Sequence, residues 1–551
     1  MGTETENRSS KSKSSEQEGP GRDRVTTFRP VRTFLVAFSF FALLSTLWAL
    51  AGPAYSVADE SAHATKAIAQ VRGQIIGYER DDVRYTVVDL PDEYRYSPNS
   101  VCFIYHPETP ANCGVEVGDE GTNWFGTWVG TYNPTYYYLV GWPSLLLDGP
   151  SGIFAMRIAS ALVGSLFLAL ASVAALGAIR ARWMPLGLVT LASPMILYFA
   201  GSVNPQGLEV AAAAALWMSL HRLLQTWREP REVLVSRGAL WAMVAASSII
   251  VANVRALGPL WLVLIVAASL VIGGWRPTRS LFTTARSYWW LGAIAVGGLF
   301  SLGWTLAGGS LSGQAEASDA PLVGASFVTG AVHVLKTTPA YWFQAVGQFG
   351  WLDAAVPNAL YVLFCVAMAA LVFLAFVATG RRGATVMTLL VALAIVTPAL
   401  VQGYSISQTG LIWQGRYGLF LYVALPLLAA LLLSSRAGSR VAFLSVRTTL
   451  IVTGLLAAFG IGAFITVLRR YVVGNATPIT EMLSNPQWQP PLGWPVLTVL
   501  FACVWIAFAS WILIRAYSLA RMEAVFDTMY SDTKVPVSAA ELRNVEELER
   551  A

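Results

Sequence analysis

The chain has 551 residues, 55% of them hydrophobic and only 13% charged, with a net charge of +5. Soluble domains carry roughly 25% charged residues, so this composition excludes an ordinary water-soluble globule and makes a lipid bilayer much of the solvent. The small positive charge points to membrane topology and not to nucleic acid; the excess of arginine over lysine, 32 to 5, reads as the codon bias of a GC-rich bacterium.

Residues 1–30 are polar, rich in Ser, Glu, Lys and Arg, and predict a disordered tail. The apolar run from Val31 to Gly52 is long enough to span a bilayer and follows a long basic tail, which favours an uncleaved first helix over a signal peptide. Further spans are expected near 154–179, 184–202, 206–224, 237–253, 256–274, 288–307, 357–379, 384–402, 412–434, 448–468 and 494–515. The expected fold is therefore an all-α polytopic membrane protein of about twelve helices over 31–518, with tails at 1–30 and 519–551. Short loops bearing Arg180 and Arg182, Arg222 to Arg237, Arg276 to Arg286, Arg381 and Arg382, and Arg436 to Arg447 fall on one side. The positive-inside rule makes that side, and both termini, cytoplasmic.

Two outer loops are long, about 53–153 and 308–356. In the first, Cys102 and Cys113 are expected to form a disulfide in an oxidising envelope. Asn133-Pro134-Thr135-Tyr136-Tyr137-Tyr138 leads into Leu139–Leu147, too short to span and suited to a helix lying at the interface. The second loop places Trp342, Phe343, Phe349 and Trp351 near Gln344 and Gln348, and is expected to rest partly on the membrane.

Polar residues gather at the outer ends of these spans. Asp59 and Glu60 precede a short predicted helix, Ser61–Arg72, and His63 stands one turn on. Arg157, Asn204, Glu209, Asn253, Arg255, Gln414, Arg416 and Tyr417 fall at the same level, and Gly415 leaves room for a close approach to the backbone. The bland alternatives are a capped surface helix, arginines snorkelling to lipid phosphates, and Glu209 as the buried partner of an arginine. Charge beside apolar runs is costly unless paired or facing a cavity. Arginine holds phosphate bidentately and a carboxylate can take a proton from an attacking hydroxyl, so this set suffices for glycosyl transfer from a lipid-linked phosphate.

The pattern Pro-(x)5-Asp-Glu-x-x-His after the first span, Asn-Pro-Thr-Tyr-Tyr-Tyr, Ser-Val-Asn-Pro-Gln-Gly-Leu and Gln-Gly-Arg-Tyr resembles a family of bacterial multi-pass membrane proteins, domain of unknown function 2142, over roughly 35 to 515. That family is similar to the GT-C glycosyltransferases, which use polyprenyl-phosphate donors and carry a catalytic acid in the first outer loop. The resemblance implies a GT-C-like fold whose long first outer loop carries interfacial helices, in a bacterial plasma membrane. It implies Asp59 as general base with Glu60 second, and Arg416 on the donor phosphate. His63, Arg157, Asn204, Glu209, Arg255, Gln414 and Tyr417 complete the expected substrate site. The implied partners are a polyprenyl-phosphate-linked sugar, an envelope glycan or lipid acceptor, and membrane lipids.

Three rivals stand beside this reading. A transporter or flippase of envelope lipids would place charges at the midplane and show internal repeats; the charges sit at the edge and no repeat is visible. A zinc hydrolase needs three or four ligands, whereas the histidines are only His63, His106, His221 and His333. A divalent ion on Asp59 and Glu60 beside a donor phosphate is compatible with the set, although no cofactor is required. A non-catalytic scaffold would tolerate loss of Asp59.

Overall fold

The computed structural model describes residues 28–95, 101–113, 123–310 and 320–531, without the side chains of 113 and 529–531. The expected disorder of 1–27, Ser318 and the final tail from 532 lie outside the described residues. Helix α1 (Pro30–Leu50) opens on a proline, whose fixed φ suits a first helical position, and stops just before Gly52-Pro53. After it come α2 (Glu60–Gln70), an antiparallel sheet of β1 (Tyr78–Arg80), β2 (Val83–Asp89) and β3 (Trp124–Thr127), and the short α3 (Thr135–Gly141). The bundle continues with α4 (Gly149–Leu176), α5 (Met184–Val189), α6 (Pro194–Ala200), α7 (Pro205–Arg228), α8 (Arg237–Val254), α9 (Gly258–Gly273), α10 (Trp275–Thr283) and α11 (Ala285–Ala307). The second half holds helices Phe327–Gly347, Asn358–Ala378, Gly380–Thr409, Ala424–Leu433, Ser445–Val472 and Trp494–Ser531.

Among the described residues, nine helices are long and apolar enough to cross a membrane, or ten when α9 and α10, bent by 119° at Gly274, count as one. The protein is an all-α polytopic membrane protein. The other two expected spans differ in kind. Residues 184–202 form α5 and α6 with a 3-10 turn between them, because Ser193 is extended before Pro194 and a proline disfavours helix in the residue it follows. Helix α7 carries Gln206, Glu209, His221, Arg222 and Gln225, and is almost wholly buried among α4, α8 and α9. Touching protein on nearly every side, it need not be lipophilic, and its run Ala211–Ala215 lets neighbouring backbones close in. By contrast, α11 and Asn358–Ala378 expose most of their apolar surface at the periphery, as lipid-facing helices do.

The expected tail beginning at 519 is, as far as Ser531, a continuation of the last helix. Its end is tied to the bundle by Glu523 and Asp527, which pair with Arg180, while Glu523 also takes Arg182. At the opposite end of the bundle, α2 packs under β2, β3 and α3. The three strands are short and stand in a polar loop, which hides them in sequence; their signal is the β-branched and aromatic run Val83-Arg-Tyr-Thr-Val-Val. On α3 and just after it, Tyr138, Leu139, Trp142 and Leu145–Leu147 are exposed, an apolar ledge suited to an interface.

Candidate functional site

The chain folds back after α1 so that Asp59 and Glu60, adjacent in sequence, face different partners. Asp59 sits at the N-cap of α2 in the left-handed region, φ 64°. That backbone swings its carboxylate onto the Arg416 guanidinium, while the Ala58 carbonyl accepts from Arg416 Nη1 at 3.4 Å. Glu60 turns inward to Arg157, with Nε to Oε1 at 2.7 Å and a second bond from Nη2. The Val203 N–H also donates to Glu60, at 3.0 Å.

Arg157 is spent on structure. Beyond Glu60 it donates to the carbonyls of Ala49, Gly52 and Pro53 at 3.0, 2.8 and 2.7 Å, and to Ser56 Oγ at 3.3 Å. All its N–H groups are engaged, so in this arrangement it offers none to a substrate. Asn204 is similarly occupied: its Oδ1 caps α7 on Gln206 N, and its amide donates to Ala58 O, both at 3.0 Å.

His63 Nδ1 meets Tyr137 Oη at 2.9 Å, and its ring stacks on Tyr137 and lies tilted against Tyr132, both at 6.0 Å between centroids. Burial pushes its pKa down to about 3, against the opposing pull of Asp59. Lys66, one turn further, donates to Ile75 O at 2.8 Å and Gly130 O at 2.5 Å, and burial brings it down to about 7. The tyrosines thus divide: Tyr136, bonded to Ser160 at 3.0 Å, and Tyr137 point into the fold, and only Tyr138 suits the headgroup layer. Burial favours a protonated Asp59, but the charge and hydrogen bond of Arg416 outweigh it and hold the carboxyl below its ordinary value.

A second ion pair, Arg255 to Glu209 at 3.2 Å, lies behind the first. Both guanidiniums rest on the Tyr417 ring, Arg255 at 4.8 Å and Arg416 at 5.2 Å from its centroid. The two charges are therefore neighbours, held by cation–π contacts and by one carboxylate each. Glu209 Oε1 and Arg416 Nε are buried without a hydrogen-bond partner among the described residues.

Arg416 lines a narrow cleft with room for about one water, bounded also by Ala58, Met195, Tyr198, Phe199, Gln344, Gln348, Gly350, Leu352 and Gln414. Gln344 and Gln348 were visible in sequence only as polar residues among aromatics. Tyr198 and Phe199 gave no signal, being part of an apolar run. Gly415 serves packing and not ligand approach: a Cβ there would overlap the Tyr341 carbonyl of helix Phe327–Gly347. That tight contact lets Gln344 Oε1 accept from Gly415 N at 2.9 Å and fixes the turn that carries Arg416.

Among the described residues, no three His, Cys, Asp or Glu side chains gather as metal ligands. Asp59 and Glu60 turn to different arginines, so they do not present a joint carboxylate pair for a divalent ion. Cys102 is disulfide-bonded, while Cys365 and Cys503 are free. The side chain of Cys113, and hence the expected Cys102–Cys113 pairing, lies outside the described residues.

None of the curated proteins matches this chain in sequence. Among solved structures, ArnT from Cupriavidus metallidurans bound to undecaprenyl phosphate is similar, with 14% identity, 90% of this chain and 77% of that chain covered, and a TM-score of 0.37. The profile of a family described as "Predicted membrane protein (DUF2142)" matches residues 41–425. Most of the bundle, including the second half of α1, all of α2 and the Arg416 turn, falls within that match, and the chain belongs to the DUF2142 family of membrane proteins.

Proposed function

We propose that this protein is a GT-C-type membrane glycosyltransferase. It moves a sugar from a polyprenyl-phosphate donor to an envelope glycan or lipid acceptor, on the outer face of a bacterial plasma membrane. The observation that carries the reading is the Asp59–Arg416 pair at the mouth of a cleft, at one end of a membrane bundle. Among the described residues, Arg416 Nε has no hydrogen-bond partner and Nη1 is bonded only at 3.4 Å, so the guanidinium has donors to give an arriving phosphate. Asp59 is 25% exposed and ionised at neutral pH.

In the proposed step the acceptor hydroxyl oxygen bonds to the anomeric carbon of the donor sugar. The bond from that carbon to the phosphate oxygen breaks, and its electron pair leaves with the polyprenyl phosphate, whose charge Arg416 holds. The hydroxyl proton passes to Asp59. Phosphate is a weak base, so its departure needs no protein acid.

The decisive variant is Asp59→Asn. Asparagine tolerates the left-handed backbone that Asp59 adopts, so the fold is kept while the proton acceptor is removed. Transfer from polyprenyl-phosphate sugars in membranes should fall about 10²- to 10⁴-fold at normal protein levels. Undiminished transfer in Asp59→Asn would refute the assignment.

A further inference from the structure

Resting on the glycosyl-transfer reading above, we infer that the acceptor is a glycan, one of whose sugar rings stacks on an aromatic corner made by Tyr105 and Trp351. The two rings meet at 66° with centroids 5.4 Å apart. Tyr105 is 69% exposed, yet its loop is clamped from within. Arg470, fully buried near the end of helix Ser445–Val472, donates to the carbonyls of Phe103 and His106, on either side of Tyr105, at 2.7 and 3.0 Å. The same guanidinium holds one Asp353 oxygen at 2.7 Å, and the other oxygen accepts from the Trp351 N–H at 3.0 Å. One arginine thus fixes both loops that bring the rings together. An exposed ring held in place gains little from its own burial, but it lowers the ordering cost of whatever binds to it.

The corner adjoins the proposed base. Trp351 Nε1 donates at 3.2 Å to the carbonyl of Tyr55, four residues before Asp59, and the Tyr105 phenol lies within electrostatic range of Asp59 and Arg416. Non-glycine residues in the left-handed region also collect here: Tyr55, Asp59, Tyr105 and Leu352 are four of the six among the described residues. Such backbone is costly for bulky side chains and clusters at working sites. The electron-rich face of an aromatic ring suits the C–H face of a pyranose. A sugar seated there can bring a hydroxyl to the Asp59 carboxylate from the solvent side. An aromatic anchored in the headgroup layer would sit among apolar neighbours, as on the ledge at Leu145–Leu147, whereas Tyr105 stands beside the exposed His106 and Glu108.

The test uses the full-length protein in lipid nanodiscs. The probes are neutral hexasaccharides of glucose, galactose and mannose and, separately, bare polyprenyl phosphate. Saturation-transfer NMR should show at least one hexasaccharide bound, with its ring C–H protons saturated most. Tyr105→Asn, a residue suited to the left-handed backbone, should weaken that binding about tenfold at unchanged Tm and leave polyprenyl phosphate bound as before. Tyr105→Phe should keep the sugar, since stacking needs the ring and not the phenol. Sugar binding undiminished in Tyr105→Asn, or no hexasaccharide bound by the unaltered protein while the lipid binds, would overturn the corner and leave the donor site standing. Sugar binding that depends on Tyr105 in a protein that binds no polyprenyl phosphate would refute the donor reading, and with it the role of that sugar as acceptor.

Discussion

Replacing Arg157 with methionine separates a structural strap from a substrate contact. Methionine keeps much of the length and apolar volume of the side chain and removes every donor. Glu60, fully buried, then loses its counter-ion, and the carbonyls of Ala49, Gly52 and Pro53 lose their partner. Breaking a buried pair from one side costs about 3–5 kcal/mol, and each stranded carbonyl adds about 1 kcal/mol. Relaxation and protonation of Glu60 recover part of this, which leaves a net loss of about 4 kcal/mol. Thermal unfolding of the purified protein, with and without polyprenyl phosphate, reads the effect. Arg157→Met should lower Tm with or without lipid, and Glu60→Gln added to it should restore part of the loss by removing the stranded charge. Arg416→Met should instead abolish most of the stabilisation that the lipid confers. An unchanged Tm in Arg157→Met, with lipid stabilisation lost, would refute the strap and return Arg157 to the phosphate site.

His63 is held neutral in the fold, with its pKa lowered from 6.5 to about 3. The unfolded chain therefore binds one more proton between those values, and stability should fall as pH drops through that window, by up to about 1.4 kcal/mol per pH unit. His63→Gln should flatten that part of the Tm–pH curve; a curve of unchanged slope would contradict the neutral assignment. Gly415→Ala should cost about 3 kcal/mol or more, because its methyl meets backbone that cannot step aside, and should weaken lipid binding by displacing Arg416. Normal Tm and lipid affinity in that variant would show the turn to be pliable. For orientation, Asp81→Cys should react with an impermeant maleimide in intact cells, and Arg231→Cys only after permeabilisation, both in a background lacking the free Cys365 and Cys503. The reverse pattern would place the cleft on the cytoplasmic face.

The apolar segments were legible because span length and hydropathy are local properties of the chain. Residues 184–202 misled for a local reason too: hydropathy is blind to the extended Ser193 before Pro194 that breaks the run. The polar residues could be gathered at one level by counting along the spans, yet their pairing could not be read. Glu60 finds Arg157 across 97 residues and Asp59 finds Arg416 across 357, and no pattern along the chain encodes such distances. Gly415 shows the same limit. Its place in Gln-Gly-Arg-Tyr is plain in sequence, but its reason is a carbonyl from Tyr341, seventy-odd residues upstream.

Asp59 and Glu60 are chemically close and covalently adjacent, yet the fold gives them opposite work. Glu60 is 0% exposed and accepts from one guanidinium through both oxygens and from the Val203 N–H. Its oxygens are spent on holding Arg157 and the Val203 N–H in place. A group in that position is a poor general base, since each turnover would break the strap that shapes the loop above α1. Asp59 is 25% exposed and shares its arginine with a cleft. In the proposed reaction, a donor phosphate that takes up part of the Arg416 charge would loosen the grip on Asp59 and raise its basicity when a hydroxyl needs it. The left-handed turn at Asp59 is what separates the two carboxylates, sending one into the protein and the other to the cleft. Strain at that residue is thus tied to the division between the acid that holds the site together and the acid proposed to act in it.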